Sequence, residues 1–197
     1  RQSLKELYLD GNQLQTIPTD ALLTAQFKQL RIISLAQNMI KQISADSFGN
    51  NIRQSSLAFF YDTASLNQQQ NPSLSQLIKL DLSYNGLKSI DSHSFDLFNS
   101  SLETLLLQNN EINSYNLKFI QSLYALKELN LDFNLITRLG SNLFSNSINL
   151  QYLSMQGNSI QFTNQNLASS NSLNEFSLSI DETNEIENTF NGLIQLQ

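Results

Sequence analysis

The chain contains no cysteine and no tryptophan, only two prolines, and a single histidine, His93. Without cysteine it can hold no disulfide and no thiolate metal site, and its redox compartment stays open. One histidine leaves Ser-His-Asp and Cys-His catalysis little material, and His93 reads as a solvated residue rather than a ligand. Acidic pairs such as Asp181 and Glu182 have no spacing that suggests acid–base work. Charged residues make up only 14% of the chain, and the 11 Lys and Arg against 17 Asp and Glu give a net charge of −6 with no basic cluster. That balance argues against a nucleic-acid or anionic-membrane partner. No apolar run approaches the ~20 residues that cross a bilayer, so no direct membrane insertion is expected. No cofactor signature stands out.

What the chain has in abundance is a repeated frame. LKELYLDGNQL begins at Leu4, LRIISLAQNMI at Leu30, LIKLDLSYNGL at Leu77 and LETLLLQNNEI at Leu102; LKELNLDFNLI and LQYLSMQGNSI follow from Leu126 and Leu150. LNEFSLSIDET, from Leu173, keeps the apolar positions with Asp181 in place of asparagine. A fixed-period unit of the form L-x-x-L-x-L-x-x-N-x-L signals a solenoid of stacked coils. Its fourth and sixth positions alternate with variable ones, the period of a strand with one buried face. Short strands, one per coil and all running one way, stack into a parallel sheet. The ninth-position residues Asn12, Asn38, Asn85, Asn110, Asn134 and Asn158 follow the strand, where an amide can satisfy backbone groups that the turn leaves buried. A second set of apolar marks, Ile17 and Leu22, Ile43 and Phe48, Ile90 and Phe95, Leu139 and Phe144, closes the core from the other side. These phenylalanines are core rather than a cofactor box.

Leu30 and Leu77 stand 47 residues apart, about twice the usual spacing. Either a long loop is inserted or one repeat has decayed. A lead at Gln54 places Leu57 and Phe59 at the inward strand positions and Asp62 at the asparagine position, so the spacing favours a decayed repeat. Residues 1–197 then form a single array of about eight repeats, with leads near residues 4, 30, 54, 77, 102, 126, 150 and 173. Leu4 opens a full repeat almost at once and Leu196 sits where another would begin, so the expectation is a fragment lacking both caps of a longer array.

These residues resemble the leucine-rich repeat family over about residues 4 to 196. The ~24-residue unit and the I-x-x-x-x-F arc are similar to the typical subclass found in Toll-type receptors, adhesion proteins and secreted matrix proteins. The resemblance implies an α/β solenoid: a right-handed horseshoe with a parallel β-sheet on its concave face and short helical or irregular segments on its convex face. It also implies non-catalytic binding of a protein or peptide in the hollow.

The inward leucines leave the third, fifth, seventh and eighth positions facing that hollow. Tyr61 and Tyr84 should lie side by side, with Phe60 close by and Leu106 and Phe133 continuing an apolar patch. Asp81 and Asp132 add negative charge around it, and Tyr152 occupies the third-position row. Exposed aromatics are enriched at interface centres, which makes these residues the candidate partner-binding site. The alternative is that they pair across strands, at about 0.2–1 kcal/mol each. Asn99-Ser100-Ser101 is an N-glycosylation acceptor, which favours an extracellular or cell-surface ectodomain. An intracellular scaffold or regulatory subunit is the alternative; an enzyme has the least support.

Overall fold

The structure is a computed structural model that describes residues 4–24, 27, 29–49, 74–140 and 142–161, together with the strand at 175–178. Among these residues the order of elements is β1 (Glu6–Tyr8), α1 (Thr19–Thr24), β2 (Ile32–Ser34), β3 (Gln42–Ile43), β4 (Lys79–Asp81), β5 (Ser89–Ile90), β6 (Thr104–Leu106), β7 (Glu128–Asn130), β8 (Tyr152–Met155) and β9 (Glu175–Leu178), with short 3-10 turns at Asp96–Phe98, Ser114–Asn116 and Lys118–Ser122. Seven strands form one parallel sheet in the order β1-β2-β4-β6-β7-β8-β9, and β3 pairs with β5 on a second, two-stranded ladder. Register follows the frame: Leu7, Ile33, Leu80, Leu105, Leu129, Leu153 and Phe176 stand opposite one another along the stack. The chain is an α/β solenoid with its sheet on the concave side.

The core runs as one continuous cluster between the sheet and the convex arcs. Ile33, Leu35, Leu80, Leu82, Leu105 and Leu107 are fully buried, and Ile17, Leu22, Ile43, Phe48, Ile90, Phe95, Leu139 and Phe144 close it from the other side as expected. Leu7 and Leu9 are only partly buried, because β1 has a strand on one flank alone among the described residues. Coil Leu102–Ala125 departs from the arc pattern. Tyr115 stands where its isoleucine should be, yet is 89% exposed, and Leu117, Phe119, Ile120 and Leu123 fill the core instead.

The asparagine column works as a ladder between coils. Asn110 accepts the Leu87 N–H at 3.0 Å and donates to the carbonyls of Leu82, Leu107 and Gln108. Asn134 makes the same set, with Ile112 N–H as donor and Leu107, Leu131 and Asp132 as acceptors. Asn38, Asn85 and Asn158 repeat it. Asn12, exposed on the first coil, reaches only the carbonyls of its own coil, Leu9 and Asp10.

The repeat lead expected at Gln54 lies outside the described residues. Strand β2 is hydrogen-bonded directly to β4, with Ile33 opposite Leu80, so no strand stands between them. The asparagine ladder also passes straight across: Asn85 accepts from Ile40 N–H and donates to Leu35 O. Leu57, Phe59, Phe60, Tyr61 and Asp62 lie outside the described residues, as does Asp181.

Candidate functional site

The eighth residue of each unit turns the chain out of the strand, and it does so in one conformation throughout. Gly11, Gln37, Tyr84, Asn109, Phe133 and Gly157 all have positive φ, between 52° and 67°. Each backbone N–H in the column donates to the seventh-position carbonyl of the following coil: Gly11 to Ala36, Gln37 to Ser83, Tyr84 to Gln108, Asn109 to Asp132 and Phe133 to Gln156. The ladder therefore holds the left-handed backbone in place whatever the side chain. Glycine occupies it freely, whereas a non-glycine residue there costs roughly 1–2 kcal/mol.

Tyr84 and Phe133 carry that cost in the open. Tyr84 is 52% exposed and Phe133 is 56% exposed. They belong to coils two apart, with Asn109 between, which separates their backbones by about 9.6 Å at the usual strand spacing. Gln37 is the neighbour of Tyr84 on the β2 side, and Tyr61, expected beside Tyr84, lies outside the described residues. The Phe133 ring lies flat over the next coil: a Cβ added to Gly157 would collide with it. Leu106, half-buried, stands between Asp81 and Asn130 in the fifth-position row. Tyr152 is 47% exposed and sits directly beside Glu128.

The acidic residues of the hollow divide by role. Asp132 Oδ1 accepts from Ser154 Oγ at 2.7 Å and from Gln156 N–H at 2.6 Å, tying its coil to the next. Asp10 does the same between the first two strands of the sheet, accepting from Ser34 Oγ and from Ala36 N–H. Asp81 instead accepts from Ser83 N–H and Oγ within its own coil. A seventh-position Asp followed by a fifth-position Ser in the next coil is thus a second inter-coil clasp, which sequence reasoning missed although both residues were in view. Glu128 and Glu6 are left outward. The Tyr8 hydroxyl donates to Glu6 at 2.9 Å. That bond, then desolvation and then the charges of Glu6 and Asp10 hold the phenol above its ordinary pKa. On the same face, Gln108 Oε1 is a buried acceptor with no partner among the described residues.

Between the fifth and sixth strands of the sheet the concave face deepens into an open cleft of about 430 Å³, lined by Glu128, Leu129, Asn130, Tyr152, Leu153, Ser154 and Gln156. The lining offers one carboxylate, one phenol ring and a set of amide and hydroxyl groups, a composition suited to recognition by hydrogen bonding and stacking. Among the described residues no group of three or more His, Asp or Glu gathers to hold a metal. His93 is exposed on the convex side, with Nδ1 3.0 Å from Asp96 Oδ2. Asn99 is half-buried just after the Asp96–Phe98 turn; its carbonyl accepts from Tyr124 and Ala125 N–H, and Ser101 Oγ donates to Leu77 O. No helix among the described residues is long and apolar enough to cross a membrane.

Leucine rich repeat family models match residues 100–160 and, in separate units, residues 3–24 and 76–98. The chain is 30% identical over 162 residues to fibromodulin of Sus scrofa, an alignment that covers 81% of this chain and 89% of that protein. It is 29% identical over 162 residues to fibromodulin of Oryctolagus cuniculus, with the same coverage. With these matches over a sheet whose coils are tied by the clasps of Asn38, Asn85, Asn110, Asn134 and Asn158, this chain belongs to the leucine-rich repeat family.

Proposed function

We propose that the chain is a non-catalytic recognition domain that binds a protein or peptide in its concave face, as part of an extracellular receptor, adhesion or matrix protein. Its family makes it a protein-binding repeat domain; the location of the site is the finer claim. The observation that carries it is the strained display of Tyr84 and Phe133. Bulky residues are uncommon at left-handed positions, and both rings stay exposed where a partner can reach them. The seven in-register strands support reading residues 1–197 as one array, and the I-x-x-x-x-F arcs with the fibromodulin similarity support the typical subclass and an extracellular setting over a cytoplasmic scaffold.

The test is capture by the secreted chain of partners from its own tissue extract, repeated with Tyr84→Ser and Phe133→Ser combined. The expected result is at least a 10-fold loss of the captured protein, the size of two modest interface anchors at roughly 1 kcal/mol or more each. Melting temperature should stay within a few degrees. Undiminished capture with a lowered melting temperature would mean that the rings only pack the sheet.

Asn99 provides a second check on compartment. Chain made through a secretory pathway should lose mass on endoglycosidase treatment, and Asn99→Gln should abolish that loss. Because Ser101 Oγ is engaged in the folded coil, attachment should precede closure of the 77–101 coil. An unmodified secreted chain would remove this support for the extracellular reading.

A further inference from the structure

The cleft between β7 and β8 combines features that the rest of the hollow does not. Glu128 and Tyr152 are direct register partners on neighbouring strands, both exposed, so a carboxylate-bearing and a phenol-bearing residue sit one strand spacing, about 4.8 Å, apart. The carboxylate is nearly unengaged: its one hydrogen bond is a long one, 3.3 Å from Thr104 Oγ1. The ion pairs found among the described residues, Lys88–Glu111, His93–Asp96 and Lys127–Glu103, all involve positions outside the concave rows. Lys79, the basic residue of those rows in the described coils, is two strands from Glu128. Among the described residues of the hollow the outward carboxylates are therefore Glu6 and Glu128, with Lys79 the single ammonium, and of the two the one lining a cleft is Glu128.

We propose that this cleft is the subsite for an arginine side chain on a basic protein segment; the inference rests on the concave-face reading above and names the chemistry of its partner. A guanidinium is planar and forks toward a carboxylate with two parallel N–H donors, which Glu128 accepts. Its cationic face stacks on the Tyr152 ring, where the ring quadrupole attracts it. The remaining N–H groups meet acceptors of the lining, the Asn130 amide oxygen and the Ser154 hydroxyl. The volume of about 430 Å³ falls within the usual range of clefts that hold a single side chain or small ligand. Lysine, a strongly hydrated point charge without the fork, fits the same site less well.

The probes are fluorescent peptides of alternating glycine with arginine, with lysine or with glutamine, titrated against the full chain by anisotropy. The arginine peptide should bind about 10-fold tighter than the lysine peptide, and the glutamine peptide should not bind measurably. Glu128→Gln should weaken the arginine peptide about 10-fold. Tyr152→Leu, which keeps apolar bulk and loses the quadrupole, should weaken it several-fold. Glu6→Gln removes the same charge from the far end of the same face and should change binding less than about twofold. Equal affinity for the arginine and lysine peptides would overturn the subsite, as would equal losses from Glu6→Gln and Glu128→Gln, which report only a diffuse field. All three substitutions are at exposed positions, and unchanged melting temperatures separate binding from folding. If the arginine peptide fails while capture still depends on Tyr84 and Phe133, the subsite falls and the concave-face reading stands.

Discussion

Replacing Phe95 with alanine should lower the stability of the array by about 3–5 kcal/mol, the usual cost of deleting a fully buried phenylalanine side chain. Phe95 is the hub of a spine of four rings. Its centroid is 6.1 Å from Phe48, 5.8 Å from Phe98 and 5.5 Å from Phe119, the last in an edge-to-face geometry at 85°. Phe48 and Phe98 close the cluster edge to face at 5.2 Å. These rings come from three consecutive coils, and all four are completely buried. Removing the hub leaves a void that three separate coils would have to move to fill, and the coils are pinned by the ladders on either side. At roughly 2–4 °C per kcal/mol for a chain of this size, the melting temperature should fall by about 6–20 °C. Phe95→Leu, which keeps most of the volume, should cost about 1.5 kcal/mol or less. Because coils contact chiefly their neighbours, hydrogen exchange should accelerate in the coils bearing Phe48, Phe95 and Phe119 before it does so around Leu153. A Phe95→Ala protein that melts within 2 °C or so of wild type would show that the arcs are loosely packed and the spine is incidental.

The second large effect is expected at Asn110. Alanine there leaves the buried Leu87 N–H without an acceptor and takes one of two donors from the Leu82 and Leu107 carbonyls, which keep Asn85 and Asn134. One orphaned buried donor costs about 1–3 kcal/mol, and that is the expected loss. Asn12→Ala should cost less than about 1 kcal/mol, because Asn12 is exposed and serves only its own coil. Aspartate at 110 should be worse than alanine. It keeps the acceptor for Leu87 but directs a negative charge at three carbonyl oxygens in a buried place. Thermal melts of the three variants check the order, and an Asn110→Asp protein more stable than Asn110→Ala would overturn this account of the column.

The frame was legible because two periods coincide: alternation within each strand, and a ~24-residue return that no chance pattern sustains over six asparagines. Between Leu30 and Leu77 the return is broken, and the lead at Gln54 lies outside the described residues. The eighth-position backbone left a readable trace that was overlooked, since Gly11 and Gly157 share a column with Tyr84 and Phe133. The clasps of Asp10 to Ser34 and Asp132 to Ser154 also repeat at one offset. Phe98 and Phe119 fell outside the arc pattern because their coils close with 3-10 turns, which shift the inward residues by a few places. The concave rows were assignable from alternation alone, whereas the cleft beside Tyr152 depends on the local shape of the sheet, which no column of residues encodes.

The asparagine ladder has a direction. In every described pair the later coil supplies the acceptor: Leu14 N–H is met by Asn38, Ile40 by Asn85, Leu87 by Asn110, Ile112 by Asn134 and Ile136 by Asn158. During synthesis, then, a coil that has left the ribosome stays unfinished until its successor's asparagine arrives, usually 22 to 24 residues later and 45 residues later for Ile40. Doubling the wait adds only about 0.6 kcal/mol of closure entropy, so assembly follows translation one coil behind and tolerates the long connection without losing its order.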